Sequence, residues 1–116
     1  MLKERCVACR RDSPEVTEQE VEELRLEVPE WRLTNLDGVK RIERSFKFRN
    51  FAEALNFATL LGEVSESEGH HPRLTVEWGK VGVEWWTHKI NGLHRNDFIM
   101  AAKSDEIHKN ASRTVG

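Results

Sequence analysis

No apolar run in this chain exceeds Phe98-Ile99-Met100-Ala101-Ala102, far short of the ~20 residues that cross a bilayer, so no membrane role is expected. The N-terminal MLKERCVACR also lacks the apolar segment of an export signal, and a cytoplasmic location is expected. Charge of one sign is missing too. Lys and Arg number 18 against 20 Asp and Glu, net −2, which gives no electrostatic footprint for nucleic acid as a direct partner. Cysteine is limited to Cys6 and Cys9. Their Cys-x-x-Cys spacing suits half of a zinc site or a redox pair. No second cysteine pair follows and no strand precedes the motif, so the expectation is a loose, reduced pair.

What is present argues for a folded domain. Four Trp and five Phe among 116 residues exclude a disordered chain. The length supports one core that buries roughly 60–70% of the unfolded surface. The expected organisation is a mobile arm over residues 1–16, a single domain over 17–109 and a frayed tail over 110–116.

Thr17 and Glu20 form a capping box, and Val21, Leu24 and Val28 trace a helix that Pro29 stops near Val28. Trp31, Leu33 and Asn35 alternate as a short strand. Asp37-Gly38 turns the chain, and Ile42, Phe46 and Phe48 mark a second strand over about 40–48. Asn50 caps a long helix over 51–67 whose apolar face reads Phe51, Ala54, Leu55, Ala58, Leu61 and Val64. Gly69 and Pro72 end it. Leu74, Val76 and Trp78 then alternate, Gly79-Lys80 turns, and Val81, Val83 and Trp85 resume. A two-residue turn there pairs Trp78 with Val81 and Leu74 with Trp85, all on one face. A last helix over 95–107 buries Phe98, Ile99, Ala102 and Ile107. The fold class is α+β, a four-stranded antiparallel sheet with three helices on one face. The other face, which carries Trp86, is expected to meet a second subunit, as in a homodimer or homotetramer.

Chemistry concentrates in Glu66-Ser67-Glu68-Gly69-His70-His71-Pro72. Adjacent histidines at a helix C-terminus sit where the dipole favours an imidazolium, and Glu66 lies about one turn before His70. By themselves they are equally a solvated helix-end loop. His88 changes that balance, because the hairpin sets residues near 88 across from residues near 71, so three imidazoles converge at one sheet end. Imidazole titrates near neutrality, which suits proton transfer. Trp86, on the face opposite the core, is either a stacking wall for a flat ligand or part of a subunit contact. His94 and His108 are expected at a solvated surface. A His and Glu metal site is an alternative, although adjacent histidines rarely chelate one ion and no His-x-x-x-His helix exists.

With Glu66, His70-His71-Pro72, Trp78, His88 and Asp97 in their spacing, the sequence resembles the pterin-4a-carbinolamine dehydratases. The likeness extends through the Trp31 strand, the stretch SFKFRNFAEALNFATLLGEVSE and Thr87-His88. The Cys-x-x-Cys arm is similar to that of some bacterial members. The resemblance implies a cofactor-free lyase that dehydrates a 4a-hydroxytetrahydropterin to quinonoid dihydropterin in tetrahydropterin recycling. The implied partners are the pterin and an aromatic amino acid hydroxylase. His70, His71 and His88 would be the active-site histidines, with no metal. Glu66, Gly69, Trp86, Thr87, Lys89, Trp31 and Asp97 would contact or line the pterin site. Gly69 stands where animal members often carry aspartate, and Asn96 where they carry arginine. Some animal members also serve as dimerisation cofactors for a homeodomain transcription factor, a coactivator role that is the alternative here.

Overall fold

The computed structural model describes residues 2–7 and 13–115, with side chains through Asn110. Cys9 lies outside the described residues, so the paired-cysteine motif is represented by Cys6 alone. In chain order the elements are α1 (Glu18–Arg25), β1 (Arg32–Leu36), β2 (Val39–Lys47), α2 (Phe51–Glu68), β3 (Arg73–Glu77), β4 (Lys80–Trp85) and α3 (Arg95–Val115). A 3₁₀ turn, His88–Ile90, lies between β4 and α3. The capping box forms as read: Thr17 Oγ1 accepts the Glu20 N–H and Glu20 Oε1 accepts the Thr17 N–H. α1 ends three residues earlier than the periodicity predicts, yet Val28 stays fully buried from the turn that follows. α3 continues to Val115, past the predicted end at Ile107.

Two antiparallel hairpins lie side by side in the order β1-β2-β4-β3, joined by antiparallel pairing of β2 with β4. Asp37 and Gly38 both take positive φ in the first turn, which matches the right-handed twist of the flanking strands. The second hairpin departs from the expected register. Val76 faces Val81 and Leu74 faces Val83, so the turn is Trp78-Gly79 and not Gly79-Lys80. Gly79 supplies the positive φ at the second turn position. The slip is two residues, so Leu74, Val76, Val81, Val83 and Trp85 keep their core-side parity. Trp78 does not: it sits in the turn, 74% exposed.

α2 and α3 pack on one face of the sheet and α1 packs on α3. Trp31, Trp85, Phe46, Phe57 and Phe98 are fully buried between these layers, and burying a side chain of this size contributes roughly 1.5–3 kcal/mol. α2 is rotated from the predicted face. Phe57 reaches the core, whereas Phe51 and Leu55 are nearly half exposed. Phe57 meets Phe46 and Phe48 at centroid distances of 4.8 and 5.2 Å, and that aromatic cluster sets the orientation of the helix. His108, expected at the surface, closes this cluster 4.9 Å from Phe46, and burial pushes its pKa down. No helix among the described residues is long and apolar enough to cross a membrane.

Candidate active site

α2 ends in a Schellman turn that aims the histidines. Gly69 adopts φ +65°, its N–H bonds the Glu66 carbonyl, and the His70 N–H bonds the Ser65 carbonyl. A side chain at 69 would have room but not the conformation, which accounts for glycine here. The chain reverses, and the His70 ring is left buried and stacked on Trp85, 5.6 Å between centroids and 7° from parallel. His70 Nε2 lies 2.6 Å from Asp97 Oδ1. Asp97, fully buried in the first turn of α3, also accepts the Thr87 hydroxyl and the His94 N–H, each at 2.9 Å. One carboxylate thus joins the ends of α2, β4 and α3. A carboxylate only accepts, so His70 carries its proton on Nε2 and leaves Nδ1 for other work.

His71 turns the other way, as adjacent residues must, and its Nε2 pairs with Glu66 at the surface. His88 opens the 3₁₀ turn after β4. The chain folds back there because Thr87 and Gly92 pair through both backbone N–H groups. Partial burial holds the His88 pKa below the ordinary histidine range, with His70, Arg41 and His71 adding positive charge that acts in the same direction and Asp97 opposing.

A cleft of about 450 Å³ gathers His70, His71 and His88 with Gly69, Thr87 and Lys89. Of the sequence-predicted site residues these six line it. Four do not. Glu66 lines a shallower groove on the far side of His71. Asp97 stands behind His70. Trp31 is fully buried, its Nε1–H donating to Asp105 at 2.9 Å, beside an Arg44 pair to the same carboxylate. Trp86 offers no open wall, because its ring is already covered by Arg41 and His88. Among the described residues no group of three or more His, Cys, Asp and Glu is placed to hold a metal ion.

The residues that sequence reasoning missed come from the N-terminal arm. Cys6 and Val7 line the cleft, with Glu68 and Asn96 beside them. Glu68 Oε1 accepts the Cys6 N–H at 2.8 Å and Oε2 pairs with Arg5. The Asn96 side-chain amide accepts the Val7 N–H at 3.1 Å and donates to the Val7 carbonyl at 2.7 Å. Glu4 pairs with Arg95. Residues 4–7 are therefore fastened beside the cleft, with Cys6 and Val7 in its lining, and Asn96 takes part in that docking. Nothing periodic announces such a contact; the only signal was polar groups at two helix ends without sequence-local partners. Asn96→Ala is expected to speed hydrogen exchange at the Val7 amide about tenfold, the equivalent of one to two lost hydrogen bonds. Unchanged exchange at Val7 would mean the Asn96 contacts carry no share of the docking.

A family model described as "Pterin 4 alpha carbinolamine dehydratase" matches residues 14–107. A protein of Chlorobium luteolum, provisionally named a pterin-4-alpha-carbinolamine dehydratase, is 55% identical over 105 residues, 90% of this chain and 92% of that one. A Gloeobacter violaceus protein with the same provisional name is 52% identical over 92% of each chain. Among solved structures, a transcriptional coactivator/pterin dehydratase from Brucella melitensis superposes with a TM-score of 0.74 at 33% identity, over 82% of this chain and 99% of the other.

Proposed function

Because the chain belongs to the pterin-4a-carbinolamine dehydratase family, we propose that its cleft binds a 4a-hydroxytetrahydropterin and that His70 and His88 move the protons of the dehydration. The activity is that of a hydro-lyase, yielding quinonoid dihydropterin and water. The observation that carries the assignment is His70, a buried imidazole that lines a cleft while its far nitrogen is held by a buried carboxylate.

Hydroxide leaves C4a poorly, so the oxygen must gain a proton as the C4a–O bond breaks. The N5 lone pair then forms the C4a=N5 bond, and N5 gives up its proton. One proton is delivered, one is removed, and the reaction is redox-neutral. His70 is the proposed acid in its doubly protonated form, which would deliver the Nδ1 proton while Asp97 holds Nε2–H and offsets the positive charge of that form. His88 is the proposed base. Partial desolvation and neighbouring positive groups lower its pKa, which favours the neutral form that accepts a proton. His71, braced by Glu66, is assigned a hydrogen bond to the pterin. Gly69, Thr87 and Lys89 supply the walls of a cleft whose volume suits a bicyclic ring.

The test generates the 4a-hydroxypterin in situ with an aromatic amino acid hydroxylase, the proposed source of the substrate, and follows its decay. Added protein should speed decay above the spontaneous rate. The acceleration should fade as pH drops through the His88 pKa, since protonation removes the base, and that limb should lie below the ordinary histidine range. Decay at the spontaneous rate would end the proposal.

A further inference from the structure

The three imidazoles of the cleft are held by unlike devices. His70 has Asp97 and His71 has Glu66. His88 has no carboxylate partner among the described residues; its ring stacks on Trp86, 4.5 Å between centroids and 14° from parallel. Trp86 in turn carries the Arg41 guanidinium, with Cζ 3.9 Å from the ring centroid. Arg41 projects from β2 on the sheet face away from the core, in the same parity as Glu43.

Arg41 is expensive to keep there. It is largely buried, its Nη1 only approaches Glu84 Oε1 at 3.4 Å, and its Nε has no hydrogen-bond partner among the described residues. A buried, unpaired guanidinium N–H calls for an explanation. Neutralising Glu84 does not provide one, because Arg73 reaches the same carboxylate at 3.3 Å. The contact Arg41 does make well is the cation–π contact to Trp86, a stabilising arrangement when desolvated.

We propose that Arg41 is a positioning residue for His88, acting through Trp86 to fix the imidazole against the cleft as Asp97 and Glu66 fix the other two. This rests on the reading of His88 as the base. Among the described residues, the charged and titratable groups that act on His88 are Arg41 from β2, His70 and His71 from the turn after α2, and Asp97 from α3. Arg41 and the two histidines disfavour the imidazolium and Asp97 favours it. Removing the guanidinium therefore moves the His88 titration to higher pH.

The experiment is an NMR pH titration of the His88 ring in the full chain, paired with steady-state dehydration rates. The variants are Arg41→Met, Arg41→Lys and Trp86→Leu. Arg41→Met should raise the pH at which His88 titrates, carry the acid limb of kcat with it, and lower kcat about tenfold while KM changes little, as for a misplaced proton-transfer group. Arg41→Lys, which keeps the charge, should return the titration toward that of the parent. If Arg41→Met fails to fold, Trp86→Leu removes the stack while leaving Arg41, and should also shift His88 to higher pH, there because the uncovered ring is less desolvated. A His88 titration and kcat unmoved in whichever of Arg41→Met and Trp86→Leu folds would overturn the proposal. Failure of the dehydratase reading shows differently: the parent protein would lack turnover, while the His88 shift would persist.

Discussion

Replacing His70 by glutamine should lower kcat about 10²-fold and leave the fold in place. The expectation follows from what glutamine keeps and what it loses. Its amide can still donate to Asp97 Oδ1, so the bond that now spans 2.6 Å retains a donor and the buried carboxylate is not orphaned. It cannot deliver a proton to a departing hydroxyl, and a positioned general acid contributes about 10²–10⁴-fold. KM should change far less than kcat, because proton delivery is realised only in the transition state. His70→Ala should lose at least as much activity, with an added stability loss of about 1–3 kcal/mol from the carboxylate left short of a partner. His88→Ala should cost at least about tenfold in kcat, at the low end of acid/base contributions. Normal turnover in both the His70 and His88 variants would remove histidine catalysis from the account.

Asp97→Ala should be among the most destabilising single substitutions in the chain, at about 3–5 kcal/mol. Its carboxylate serves the His70 ring, the Thr87 hydroxyl and the His94 N–H together, and alanine leaves two buried side-chain donors and a helix-start N–H unpaired. For a domain of this size the midpoint of thermal unfolding should fall by more than about 10 °C. Asp97→Asn separates the structural from the chemical role. Asparagine fills the same space and can still accept, so most of the stability survives. Its single amide oxygen can face the His70 ring or the His94 N–H but not both, so one of those donors loses its acceptor; in either orientation His70 loses the carboxylate's negative charge, and turnover should fall about 10²-fold. Calorimetry on the two variants with rates on the same samples decides it. An Asp97→Ala protein that melts with the parent would show that the three bonds carry no net stability.

The local structure was legible wherever one short-range rule dominated. Thr17 with Glu20, Asn50 ahead of Phe51 and Gly69 after Glu68 each mark a helix end through side-chain or φ requirements confined to a few residues. Alternation placed Val81, Val83 and Trp85 on the buried face although the predicted register was two residues off, because parity survives an even slip. The rotation of α2 was not legible: Phe51 and Leu55 match the periodic face as well as Phe57 does, and only the presence of Phe46, Phe48 and His108 opposite Phe57 selects it.

By itself, then, the sequence determined the α+β class, the order of the elements and the three histidines as candidates for one cleft, since these depend on spacing and local backbone preference, while Gly69, Thr87 and Lys89 were implied by the family resemblance. Only the tertiary structure decided what stands behind those residues. It set Asp97 beneath His70, moved Trp31 into the core against Asp105, laid Arg41 over Trp86 and fastened Cys6 and Val7 into the lining of the cleft. Each of these contacts joins residues far apart in the chain, where sequence spacing carries no distance and only the packing of the layers brings a donor to its acceptor.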